Sequence, residues 1–99
     1  MEFELPPGAG TVTAPGSVDT AAVSTLLDAA SSLLDGGSTA IVLDASQVTS
    51  IDAGGQAGLQ WLAAAVRARG ATAHIYYVPP SIALALGDAI NAFDSARVS

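Results

Sequence analysis

Three side chains in this 99-residue chain stand out by type and position as candidates to act on a substrate: Asp44, Asp52 and His74. Asp44 closes an apolar run, "AIVLD", and Asp52 opens a glycine-rich turn, "IDAGGQAG". Two neighbouring carboxylates can divide general-acid and general-base work when their surroundings pull their pKa values apart. A histidine titrates close to neutral pH and can move a proton. The glycines add another possibility, because the amides at a helix start attract phosphate. Each feature also has a plainer reading. An Asp directly before a helix is a good N-cap that accepts from the first free amides, and Asp44 stands where a strand gives way to a turn. The only imidazole, His74, sits in a strand, where a sheet surface is its ordinary place. It makes no multi-histidine metal site, and the absence of cysteine removes thiol nucleophiles and thiolate ligands. The chain has no lysine, so the P-loop pattern fails, and the spacing G-x-G-x-x-G is absent too. No serine has an obvious His and Asp arrangement around it. These residues point away from an enzyme, and neither cofactor nor metal is expected.

The elements that would hold these residues follow from periodicity. "TAIVLDAS" is a continuous β-branched and apolar run, the pattern of a strand covered on both faces. A helix should run from about Gly54 to Arg69 and close at Gly70. On steps of about 100°, Gly55, Leu59, Leu62, Ala63 and Val66 gather on its sheet-facing side. Upstream, Asp19 can cap a helix to about Leu34, with Val23, Leu26, Leu27, Ala30 and Leu34 on one face. Gly36-Gly37 should end that helix. Phe3 and Leu5 alternate with glutamates as a short strand, and "TVTA" reads as its hairpin partner. "AHIYYV" is another strand, stopped by Pro79-Pro80. Ser81 can cap a last helix with Ile82, Leu86, Ala89, Ile90 and Phe93 on one face, slightly weakened by Gly87. The order β-β-α-β-α-β-α predicts an α/β fold: a single mixed, partly parallel β-sheet with helices packed on it, in one domain spanning 1–99.

Composition narrows the partners. The formal net charge is −6, and the cations are Arg67, Arg69 and Arg97, with His74 neutral. Binding to nucleic acid or to anionic membrane surfaces depends on Lys and Arg, so neither is expected. Apolar residues are 51% of the chain and charged residues 12%, which excludes a highly solvated, disordered chain. No apolar run approaches the roughly 20 residues of a membrane span. The acidic start "MEFELPPGAG" is not a signal-peptide pattern, so a cytoplasmic protein is expected.

A docking surface remains. Ala57, Trp61, Ala64 and Ala68 gather on nearly the opposite side of the second helix from its sheet-facing residues. A Trp among alanines, pointing away from the core, has the makings of an interface anchor. It could equally pack under a neighbouring loop or the C-terminal helix, or make a homodimer contact.

The stretch "STAIVLDASQVTSIDAGGQAGLQWLAAAVRARGATAHI" resembles the STAS domain, named for sulfate transporters and anti-sigma-factor antagonists. "LDAS" and "IDAGG" occupy that family's two marker positions, and the likeness covers about residues 12 to 93. It implies a sheet with packed helices, no catalysis, and a bacterial regulatory role in signal transduction through protein–protein interaction. In anti-sigma antagonists the serine after the helix-opening Asp is phosphorylated by the partner kinase. Here that position is Ala53, followed by Gly54, and neither carries a hydroxyl, so no phospho-switch is expected there. Related subunits also serve beside chemotaxis kinases, or dock on the ATPase of lipid-trafficking ABC transporters, where the position is often Thr. Some STAS domains are credited with nucleotide or lipid ligands. The resemblance thus implies docking on an anti-sigma kinase, a chemotaxis kinase or a transporter ATPase. The expected surface is Asp52, Ala53, Gly54 and Gln56 at the helix start, continued by Ala57, Trp61 and Ala64.

Overall fold

Residues 5–98 are described in the structure, a computed structural model. The apolar run after Gly36-Gly37 forms the strand Ala40–Asp44, which becomes β3 in a four-stranded sheet. It lies between β1 (Ala9–Thr13) and β5 (Thr72–Val78), and β6 (Ser95–Val98) follows β5, giving the order β1-β3-β5-β6. Every pairing in this sheet is parallel. Two further strands of two residues each, β2 (Ser17–Val18) and β4 (Ser50–Ile51), form a separate parallel pair. Ile41 and Leu43 of β3 enter the main core, while Ala40 and Val42, of the opposite parity, are buried as well. That is why the run lacks the polar alternation of a half-exposed strand.

Three helices complete the layer: α1 (Thr20–Asp35), α2 (Ala53–Ala68) and α3 (Pro80–Leu86), the last continued by a 3₁₀ turn, Gly87–Ala92. The buried side of α2 is Gly55, Leu59, Leu62, Ala63 and Val66, the set its periodicity predicts. Leu59, Leu62, Ala63 and Val66 join Val23 and Leu26 of α1, Ile82 and Leu86 of α3, and Ile41, Leu43 and Ile75 of the sheet in one connected core.

The structure differs from the sequence reading in four places. The expected strand Phe3–Leu5 falls outside the described residues except for Leu5, which has no regular structure. Its supposed hairpin partner is β1, which begins at Ala9 and runs parallel to β3. Ser81 does not cap α3. Pro79 is the N-cap and Pro80 opens the helix, with no side-chain cap bond; proline suits that position because its missing N–H would be unsatisfied anyway. Gly87 does more than weaken the last helix, since at φ +55 it ends the α-helical part. Finally, β6 pairs in parallel with β5 across a bulge. His74 and Ile75 face Ser95 and Ala96, but Val78 faces Val98, so β5 carries one extra residue. Tyr77 takes a left-handed φ of 60° at that bulge, a costly conformation for a bulky side chain. The extra residue returns Val78 to the core side, where it is fully buried.

Candidate functional site

The short β2–β4 pair sets the geometry of the candidate surface. Ser17 pairs with Ser50 and Val18 with Ile51, so the next residues, Asp19 and Asp52, open α1 and α2 side by side. Both act as N-caps. Ala22 N–H donates to Asp19 Oδ1 at 2.8 Å, and Gly55 N–H donates to Asp52 Oδ1 at 2.7 Å. Each carboxylate also sits at the positive end of its helix dipole.

The glycines face inward, toward the protein's own chain. A Cβ on Gly55 would lie 2.1 Å from the Val18 carbonyl oxygen. On Gly58 it would lie 2.8 Å from both Val23 methyls, and on Gly54 2.5 Å from Thr20 Oγ1. The bare turn is therefore what lets α2 seat closely against β2 and the first turn of α1. Gly54, expected at the docking surface, is half-buried against Thr20.

The outer side of α2 carries Ala53, Ala57, Trp61 and Ala64, all exposed, with Asp52 exposed at its start. Trp61 is 64% exposed, so it packs under neither a loop nor α3. A shallow, mainly apolar groove separates α2 from α1; Trp61, Ala57 and Gly58 form one wall, and Val23 and Leu27 the other. Gln56 is turned elsewhere: its Nε2 donates to the Ala85 carbonyl of α3 and ties the two helices together.

The groups with catalytic chemistry are engaged in local structure. Asp44 Oδ1 accepts from Ser46 N–H at 2.9 Å, closing the turn after β3. Asp52 is occupied as a cap. His74 is half-buried between β5 and β6, with Nδ1 2.6 Å from Ser95 Oγ and Nε2 2.8 Å from Thr72 Oγ1. Burial pushes its pKa below the ordinary value, and the Asp94 charge opposes that shift. A serine beside the histidine was not foreseen, because β6 itself was not. The pair still lacks the carboxylate of a Ser-His-Asp relay. Thr72 takes the other ring nitrogen, and Asp94 Oδ2 accepts from the Ala73 N–H at 2.8 Å. Among the described residues, no three His, Cys, Asp or Glu side chains cluster to hold a metal. None of the described helices is long and apolar enough to cross a membrane.

A family model described as "Mlab, STAS domain" matches residues 1–86. Among solved structures, the chain is similar to the NMR structure of the protein TM1081, with a TM-score of 0.71 and 12% identity. The alignment covers 96% of this chain and 78% of that one; at so low an identity the likeness speaks for the fold. No curated protein matches the chain.

Proposed function

The chain belongs to the STAS domain family, and on that premise we propose that it is a non-enzymatic regulatory module that docks on a partner kinase or ATPase through α2. STAS domains are in general non-catalytic modules that act through protein–protein interaction. The observation that supports docking through α2 is the exposure of Trp61 beside the α1–α2 groove. A large aromatic side chain left 64% open to water on an otherwise small-residue helix face is the kind of anchor that dominates interface energies. Asp52, Ala53 and Ala57 extend the surface to the helix start, and Ala64 extends it the other way. Gly54 and Gln56 contribute by seating α2 rather than by contact. With alanine at position 53, the surface has no phosphoacceptor there and stays in its binding-ready form.

The test uses tagged wild-type protein, Ala53→Glu and Trp61→Ala in pull-downs, with bound proteins identified by mass spectrometry. Glutamate in the first helical turn is favoured by the dipole, so Ala53→Glu should keep the fold, as circular dichroism can check. The expected result is a kinase or ATPase recovered with the wild type and lost with both variants. Full retention by both variants would remove α2 as the docking element.

A further inference from the structure

We propose that the partner's docking element carries an apolar ridge flanked by lysines or arginines, the ridge filling the α1–α2 groove and the cations facing its rim. This rests on the docking reading above and names the chemistry of what docks. The groove walls, with Leu27 on one side and Trp61 on the other, are mainly apolar, with Thr20 and Ser24 adding hydroxyls on the α1 side, and offer room for a branched aliphatic side chain. Its charged borders are of one sign. Asp19 and Asp52 stand at the end where both helices begin. Asp28 stands on α1 next to Leu27 and is exposed. The cations are elsewhere. Arg67 donates to the Ala92 carbonyl on the far flank of α2, Arg69 pairs with Asp35 at the other end of the helices, and Arg97 lies on β6.

Residues 53–66 of α2 contain no charged side chain, and Arg67, the helix's one cation, is turned to the Ala92 carbonyl, so nothing on the groove side of that helix offsets the acids. The helix dipoles partly offset the charges of the two caps, but Asp28 lies too far from either helix end for such compensation. A second copy of the chain is a poor occupant. Each copy carries −6 with only three arginines, so two copies repel one another, and like charges across an interface are strongly disfavoured. A basic partner instead gains both steering and complementarity.

Trp61 is the only tryptophan in the chain, so its emission reports whether the groove is covered. The probes are two synthetic helical peptides with the same leucine face, one with lysine and one with glutamate at all other positions. The lysine peptide should shift the emission of the wild type to the blue and saturate; the glutamate peptide should not. Asp28→Asn should weaken the lysine peptide about two- to fivefold, the range of an exposed charge pair. Ala57→Glu separates groove filling from bulk attraction, because it adds negative charge while blocking the groove, and it should abolish the shift. Equal binding of the glutamate peptide would overturn the proposal. So would undiminished binding of the lysine peptide to Ala57→Glu, or a concentration-dependent blue shift of the protein alone with a dimer in sedimentation. These outcomes are separable from the docking reading itself. If the natural partner is lost with Trp61→Ala while the peptides show no charge preference, docking stands and only the basic character of the partner fails.

Discussion

Gly55→Ala probes how α2 is seated. An alanine Cβ at this position would lie 2.1 Å from the Val18 carbonyl oxygen and 2.9 Å from its carbon, where ordinary contact begins at 3.4 Å. A gap of more than 1 Å must therefore open. The obstacle is backbone, so no rotamer change can relieve it. Val18 is also held in place, since β2 pairs with β4 and the same oxygen accepts the Asp52 N–H at 3.3 Å. The helix has to move instead, and Leu59 and Leu62, both 2% exposed, move with it. Over-packing of this kind costs about 1–3 kcal/mol, occasionally more. Opposing it, alanine is the better helix former by about 0.8–1.0 kcal/mol in a helix interior, and by less in the first turn. The expected net effect is a loss of about 1–2 kcal/mol. With a urea slope of about 1–3 kcal/mol/M for a small protein, the midpoint should fall by about 1 M. Gly54→Ala is the matched comparison. Its obstacle is the Thr20 hydroxyl, the end of a side chain that can rotate. That variant should range from neutral to about 1 kcal/mol more stable. Urea unfolding followed by far-UV circular dichroism reads both. If Gly55→Ala matches the wild type, or the two variants are indistinguishable, close seating against Val18 is not what the glycine provides.

Three further expectations concern the rest of the fold. His74 has its pKa lowered by burial, so on acidification the unfolded chain takes up the proton first. Its contribution to stability is complete above the ordinary histidine value and declines as pH falls through the lowered one. Urea midpoints between pH 8 and pH 5 should therefore drop more in the wild type than in His74→Gln, and parallel curves would refute this. Gly87→Ala meets open space but must hold φ +55 and ψ −129, so a loss of about 1–3 kcal/mol is expected from backbone strain alone; an unchanged melting temperature would refute it. The exposed Arg69–Asp35 pair, at 2.5 Å, should matter little: Arg69→Ala is expected to cost about 0–1 kcal/mol, and a larger loss in the same assay would show that Arg69 also contributes by packing.

Elements with a strong local signal were legible in the sequence. Asp19 and Asp52 declared two helix starts, and the spacing of Leu59, Leu62 and Val66 fixed which way α2 faces. The β-branched run of β3 declared a buried strand. What escaped depends on partners distant in the chain. "SARV" has no strand signal of its own; β6 exists because β5 offers an edge and Asp94 reaches back to the Ala73 amide. The glycines of α2 were legible as a bare turn, but not their reason, which lies in Val18, Thr20 and Val23, about 35 residues away. Gln56 was expected at the docking surface, and only the position of α3 shows that it is engaged. The exposure of Trp61 was one of the readings the sequence left open; in the fold its side chain stands 64% exposed beside the α1–α2 groove.

The all-parallel pairing bears on how the chain can fold. Among the described residues the sheet contains no hairpin. Ala9 finds Ala40, Ala40 finds Thr72, His74 finds Ser95 and Val78 finds Val98, so no strand pairing joins residues fewer than 20 apart in the chain. Each pairing must close a long loop before any ladder bond compensates for the lost chain entropy. Contacts of high sequence separation slow folding. The local contacts of the chain are helical, in α1 and α2, whereas every strand added to β3 comes from a distant segment. A fragment ending after α2 would carry only the β1–β3 pair of the main sheet, and without β5 one edge of its central strand would be left bare. Such an edge is an aggregation hazard, so during synthesis the exposed interval lasts until β5 has been made as far as Tyr76 and has joined β3.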